Sequence, residues 1–184
     1  MTKDIDISNV TLKTTRLVLR PWEQTDLDDF YEYASVDGVG QMAGWVPHEN
    51  KEVSQKILND FIAGKKTFAL EYNGKVVGSL GIEKYNESEA PEYADLQCRE
   101  IGYVLSKQYW GQGLMPEAVH EAIRYLFKDL KLDAIFCGYF INNPQSAHVQ
   151  EKCGFKFYKK IQFEDLVPNS VEFRKHRKAP DIAG

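Results

Sequence analysis

The residues with the most chemical promise lie between Glu100 and Ala118. Glu100 opens an apolar run, Ile101-Gly102-Tyr103-Val104-Leu105, and a turn follows at Tyr109-Trp110-Gly111-Gln112-Gly113. Leu114-Met115-Pro116-Glu117-Ala118 then begins a long amphipathic stretch. Two glycines one residue apart let backbone N–H groups come close to a ligand, because no Cβ stands in the way. A helix N-terminus just beyond adds unpaired donors and the positive end of the macrodipole. Strand, Gly-x-Gly and helix together make a place for a phosphate-bearing cofactor. The same spacing also suits a tight strand-to-helix turn with no ligand. A P-loop is excluded, since Gly113 is followed by Leu114 and Met115 where Lys and Ser/Thr are needed. The dinucleotide fingerprint is excluded too: Pro116 stands where the third glycine belongs, and no early βαβ unit precedes it.

Two further stretches matter. Leu12-Lys13-Thr14-Thr15-Arg16-Leu17-Val18-Leu19-Arg20-Pro21 reads as a strand near the start. Asn142-Asn143-Pro144-Gln145-Ser146-Ala147-His148-Val149-Gln150-Glu151-Lys152-Cys153-Gly154-Phe155 runs from a helix start to a glycine stop. In this order the three stretches resemble the GNAT N-acetyltransferases, in the branch that includes the ribosomal-protein N-terminal acetyltransferases. The resemblance covers about Thr11 to Lys160. Its acyl-CoA motif is Arg/Gln-x-x-Gly-x-Gly/Ala, and Gln108 to Gly113 matches that formula letter for letter. Counted from the end of the strand, Trp110 takes the Arg/Gln position, Gly113 the first glycine and Met115 the last small residue. The second register is preferred because it keeps the family's spacing from strand to turn. It departs from the pattern at Trp110 and Met115, which leaves phosphate binding to the backbone.

The resemblance implies transfer of an acetyl group from acetyl-CoA, as co-substrate, to a primary amine. Three demands follow: a neutral amine, a stabilised carbonyl oxygen and a proton for the departing thiolate. An α-amino group has a pKa of about 8 and a lysine about 10.4, so a base is needed. Glu100 is the candidate base, with a salt bridge to Arg99 or to a neighbouring strand as the alternative. Ser146, in Asn-x-x-Ser, is the candidate acid, although Asn143, Pro144 and Ser146 would also begin a helix without any catalysis. Many family members place an acidic tyrosine four residues later, where this chain has Gln150. Cofactor contact is expected at Tyr103, Val104 and Leu105, whose backbone would pair with the pantetheine amides as an added strand does. It is expected also at Gly111, Gln112, Gly113, Leu114, Met115 and Asn143. A backbone N–H near Val104 or Leu105 would serve the oxyanion, and a bulky residue at Gly113 should abolish acetyl-CoA binding with the fold intact. Trp45 and Tyr31 are candidates for the amine pocket, with core packing the commoner use of such aromatics.

A protein N-terminal α-amine is the first expectation for the acceptor, because the chain most resembles the ribosomal branch. A polyamine or other small amine stays open. So does a non-catalytic CoA-binding sensor or scaffold, given the departures at Trp110, Met115 and Gln150. A homodimer is compatible with all of these. His48, His120, His148 and His176 do not cluster at metal-ligand spacing, so no metal is expected. Cys137 lies on a buried strand with nothing nearby to lower its pKa, and reads as core.

The elements that would position these residues follow from turn chemistry and periodicity. A strand over Arg16–Arg20 ends at Pro21, and Thr25 would cap a helix over Asp26–Ala34. A second helix covers about Lys51–Ala63. Strands at Lys66–Glu71 and Lys75–Ile82 are joined at Asn73-Gly74, a hairpin signal. Lys84–Asp95 is an acidic loop, Leu96–Leu105 a strand, Leu114–Asp129 a helix and Lys131–Phe140 a buried strand. Asn143-Pro144 starts a helix that Gly154 stops. Phe155–Phe163 is a strand, Ser170–Phe173 a last short one, and Lys175–Gly184 a frayed tail. The order β-α-α-β-β-β-α-β-α-β is α+β: a mixed, mostly antiparallel sheet flanked by helices. The resemblance adds a splayed pair of central strands.

With 184 residues, the chain suits one N-acetyltransferase domain, 1–184, with a core at about 11–160 and a last strand and tail at 161–184. A net charge of −4 argues against a nucleic-acid partner. No run of ~18 apolar residues is present to span a membrane. Cys98, Cys137 and Cys153 show no paired spacing and the N-terminus lacks an apolar signal region, so a cytoplasmic protein is expected.

Overall fold

The computed structural model describes residues 4–163 and 171–178, with side chains as far as residue 161. A two-residue strand β1 (Leu12–Lys13) pairs with β2 (Leu17–Pro21), whose alternating Leu17 and Leu19 are buried. Helix α1 (Leu27–Ala34) begins at Asp26, not at Thr25, which lies inside a 3-10 turn over Gln24–Asp26. The cause is the Asp26 carboxylate. It accepts from the Glu23 N–H at 2.8 Å and from both Nη atoms of Arg20 at 2.9 and 2.8 Å, so it and not Thr25 fixes the helix start. Helix α2 (Lys51–Gly64) is capped by Asn50, whose side chain accepts from Val53 N.

Strands β3 (Thr67–Tyr72) and β4 (Lys75–Glu83) form the expected hairpin. Asn73 and Gly74 both have positive φ, +50° and +79°, as a type I′ turn requires. Strand β5 (Cys98–Leu105) pairs antiparallel with β4 and parallel with β6 (Ala134–Phe140). A parallel neighbour needs a crossover, and α3 (Leu114–Arg124) supplies it, continuing as a five-residue π turn over Tyr125–Asp129. Helix α4 (Pro144–Lys152) ends in a Schellman motif: Gly154 has φ +79°, its N–H reaches Glu151 O, and Phe155 N reaches Gln150 O.

Strands β7 (Lys156–Phe163) and β8 (Val171–Lys178) complete an eight-stranded sheet among the described residues, in the order β1-β2-β3-β4-β5-β6-β8-β7. The last strand is thus longer than expected: Lys175, read as tail, pairs with Gly138, and β8 lies between β6 and β7. Ser170 and residues 179–184 of the expected tail lie outside the described residues. The β5–β6 ladder is the one parallel pairing among the described strands, so the mixed, mostly antiparallel α+β reading holds.

Helices cover both faces. Leu114, Ala118, Val119, Ala122 and Ile123 of α3 pack with Ile101 and Leu105 on one face. Phe30, Tyr33 and Ala34 of α1 and Leu58 of α2 pack with Ala69, Val76 and Val104 on the other. Each fully buried large apolar side chain contributes on the order of 1.5–3 kcal/mol, and the two layers hold β5 between them. No helix is long and apolar enough to cross a membrane among the described residues.

Candidate active site

Strands β5 and β6 pair from Cys98↔Ala134 to Ile101↔Cys137, and no ladder pair follows among the described residues. Beyond that point Gly102–Leu105 stays paired to β4, and Gly138–Phe140 to β8. The central strands part as expected, and a cavity of about 380 Å³ opens in the seam. That is enough for part of a small ligand, whose pockets commonly measure ~300–1,000 Å³. The cavity gathers Glu100, Tyr103, Val104, Leu105, Gly111, Gly113, Leu114, Met115, Asn143 and Ser146. Gln112, Trp45 and Tyr31 do not line it.

The glycine turn has the backbone its sequence suggests. Gly111 and Gly113 sit at φ +74° and +75°, a region other residues enter at a cost of about 1–2 kcal/mol. A Cβ on Gly111 would meet nothing within 4 Å. Leu114 and Met115 are buried in the core, so what they can offer a ligand is their amides, which open α3 without an intrahelical acceptor. Trp110 spends its indole N–H on Leu105 O at 2.8 Å, tying the turn to the end of β5. A cation stands behind the turn. Arg16 Nη1 donates to Gln112 O at 2.8 Å, while Arg16 Nε and N donate to the two oxygens of Glu117, both at 2.7 Å. Thr14 Oγ1 adds a bond to the same carboxylate. Burial alone would raise the Glu117 carboxyl, but the Thr14 and Arg16 bonds outweigh it and hold it below its ordinary value.

Strand parity divides the residues of β5. Val104 packs on the α1–α2 face and Ile101, Tyr103 and Leu105 on the α3 face, so Glu100 and Gly102 take the first face and Arg99 the second. The Arg99 guanidinium donates to Cys98 O. On the Glu100 face the cavity wall is completed by Val39, Met42 and Ala43, from and beside a 3-10 turn over Gly40–Ala43.

On the other face Tyr103 reaches α4. Its hydroxyl lies 2.9 Å from Ser146 Oγ and 3.2 Å from Ser146 O. Burial pushes the Tyr103 phenol well above its ordinary value. Asn143 caps α4 through Oδ1, which accepts from Ser146 N at 3.2 Å, and its Nδ2 donates to Met42 O at 3.3 Å. Both ends of that amide are engaged in shaping the cavity. Gln150 is fully buried and donates to Gly138 O at 3.1 Å. Burial raises the Cys137 thiol well above its ordinary value, the opposite of what an acyl-carrying nucleophile needs.

Trp45 is used for packing. Its ring lies tilted against His48, centroids 5.1 Å apart, and closes over Gly40, where a Cβ would meet Trp45 Cε3 at 2.2 Å. Tyr31 lies half-buried on α1, away from the cavity. Reasoning from sequence missed the Tyr103 side chain, Arg16, Glu117 and the wall at Val39, Met42 and Ala43. Arg16 and Glu117 each sit inside a stretch already singled out, but nothing local says that they meet. Among the described residues no three His, Cys, Asp or Glu side chains gather to hold a metal ion.

Residues 16–156 match the model of an acetyltransferase (GNAT) domain. The chain is 30% identical over 134 residues, 68% of its length and 70% of the other's, to an N-acetyltransferase named p20 from Bacillus licheniformis. It superposes on spermidine N-acetyltransferase from Vibrio cholerae, solved with CoA and spermine, with a TM-score of 0.73, 20% identity, and coverage of 90% of this chain and 96% of that one. For the ribosomal-protein-S5-alanine acetyltransferase of Vibrio fischeri the TM-score is 0.71, with 18% identity and coverage of 95% and 98%. At such identities these two structures speak for the fold alone.

Proposed function

The chain belongs to the GNAT acetyltransferases, and from that premise we propose that it moves an acetyl group from acetyl-CoA to a protein N-terminal α-amine, by direct attack in a ternary complex. One observation carries the reading: Glu100 and Ser146 line the same cavity, from opposite sides of the seam between β5 and β6. The residues suit acetyl-CoA. The backbone of Tyr103, Val104 and Leu105 leaves an edge for the pantetheine amides, and the Gly111–Met115 turn offers amides to the phosphates without a side chain in the way.

Glu100 takes the proton of the incoming amine. The amine nitrogen then bonds to the thioester carbon, whose oxygen draws on a backbone N–H near Val104 or Leu105. The carbon–sulfur bond breaks, Ser146 gives its proton to the sulfur, and the second proton, shed by the acylated nitrogen, passes through water to restore Ser146. The proton on Glu100 returns to solvent.

The acceptor choice rests on charge. Among the described residues that line the cavity Glu100 is the one carboxylate, and Val39, Met42 and Ala43 beside it are apolar. A polyamine carries several cations and would be served by several carboxylates, whereas an α-amine carries one and has a pKa of only about 8. CoA release from acetyl-CoA, followed across a panel of peptides, spermidine and simple amines, tests this. Turnover of peptides above polyamines is expected. Activity confined to polyamines would overturn the α-amine reading, and acetyl-CoA binding without any turnover would leave a CoA-binding sensor in its place.

A further inference from the structure

The pair formed by Tyr103 and Ser146 asks for a role. These residues lie 43 positions apart, on β5 and α4, and their hydroxyls meet at 2.9 Å where the seam opens. A serine at the third position of a helix ordinarily turns its hydroxyl back to the local backbone. Here the backbone N–H of Ser146 is already taken by Asn143 Oδ1, and its carbonyl lies 3.2 Å from the Tyr103 hydroxyl. One turn further along α4, Gln150 fills the buried position with an amide fixed on Gly138 O, which has no proton to give to a thiolate. The hydroxyl that reaches Ser146 therefore comes from β5.

We infer that Tyr103 is a positioning residue that acts through Ser146: its O–H donates to Ser146 Oγ, and the Ser146 hydrogen is thereby turned into the cavity toward the sulfur that leaves. The inference rests on the acetyl-transfer reading for the identity of that sulfur. Burial keeps the phenol protonated through the neutral range, so its proton is there to donate. A hydroxyl whose lone pair is held in this way offers its own hydrogen in one direction, and a donor fixed before reaction stabilises charge without reorganisation. Tyr103 keeps its proton throughout. The proton that Ser146 gives to the sulfur is replaced, by way of water, by the one that the acylated nitrogen sheds.

The test uses bound CoA, whose thiol ionisation is read by the ultraviolet absorbance of the thiolate, and so needs no acceptor. The variants are Tyr103→Phe, which keeps the ring and its packing, Ser146→Ala, and the two combined. Glu100, His148 and Lys152 line the same cavity in every variant, so their fields cancel in the comparison. Tyr103→Phe and Ser146→Ala should each raise the ionisation pH of bound CoA, a loss of thiolate of roughly tenfold for one donor to a charged group. The double variant should lose no more than Ser146→Ala alone, as expected for residues acting in series. With an acceptor from the panel, kcat should fall by a similar factor while KM for acetyl-CoA holds. An unchanged thiol ionisation in Tyr103→Phe, or additive losses in the double variant, would overturn the inference. Absence of turnover with every amine would overturn the acetyl-transfer reading while the titration still decides this one. Failure of wild-type protein to bind CoA would overturn both.

Discussion

Arg16 Nη1 donates to the carbonyl oxygen of Gln112 at 2.8 Å, so a residue at the head of β2 holds a turn that comes 96 positions later. The same guanidinium is locked on Glu117 in the first turn of α3. Turn and helix start are therefore fixed from outside, by a cation placed behind the amides that would face phosphate. Removing it should loosen the cradle while leaving the sheet in place. Arg16→Ala is expected to weaken acetyl-CoA binding on the order of tenfold, or about 1.4 kcal/mol. Titration calorimetry reads the binding and a thermal melt reads the fold. Unchanged affinity would mean that the turn holds itself.

The Arg16–Glu117 pair also sets a pH dependence. The Glu117 carboxyl is depressed in the folded protein, the Thr14 and Arg16 bonds outweighing its burial. A depressed carboxylate contributes stability above its unfolded value, about 4.3, and that contribution is lost as the pH falls through the folded value. The melting temperature of wild-type protein should thus fall more steeply than that of Glu117→Gln as the pH is taken below the ordinary glutamate range. Parallel curves for the two proteins would show that Glu117 titrates alike in both states.

A side chain at Gly102 offers a cleaner probe of the cavity than one at Gly113. Gly113 sits at φ +75°, so any replacement there strains the backbone and confuses folding with binding. Gly102 lines the cavity from β5, in ordinary strand conformation, and an added Cβ meets nothing within 4 Å. Gly102→Val should keep the melting temperature within a few degrees and cut kcat/KM sharply. Wild-type kinetics in this variant would move the reaction out of the seam.

Glu100 carries the proposed base role. Glu100→Gln should lower kcat by about 10²–10⁴-fold, the usual span for a general base, with acetyl-CoA affinity little changed. Peptide α-amines should suffer less than lysine-like amines, because more of them are neutral at the outset. A near-wild-type rate would leave catalysis to positioning and to the backbone.

The parts of this molecule that sequence made legible are those with local causes. Asn73-Gly74 announces its turn because both residues tolerate positive φ, and both adopt it. Gly154 closes α4 for the same reason. The strand-turn-helix around Gly111–Gly113 declares itself through glycine spacing and the apolar stripe of α3. What stayed hidden depends on segments that meet only in the fold. Thr25 looks like a cap until Arg20 is seen to hold Asp26. Tyr103 looks like one more core aromatic until α4 brings Ser146 to its hydroxyl. The long β8 depends on its pairing with both β6 and β7, which no local pattern in Val171–Lys178 reveals.

The hydrogen bond from Gln150 to Gly138 has a consequence for how a ligand would be read. It occupies one lip of the open seam, on the β6 side, with a side chain of the protein itself. On the β5 side Trp110 ties off only the far end, at Leu105 O, and leaves Gly102–Val104 clear of any such side-chain bond among the described residues. The slot is therefore asymmetric: an extended guest can dock its amides along Gly102–Val104, while across the gap Gln150 already stands on Gly138 O. A fully open pair of edges would admit a peptide strand from either side and invite aggregation. Blunting one lip turns a liability of split sheets into a directional rail.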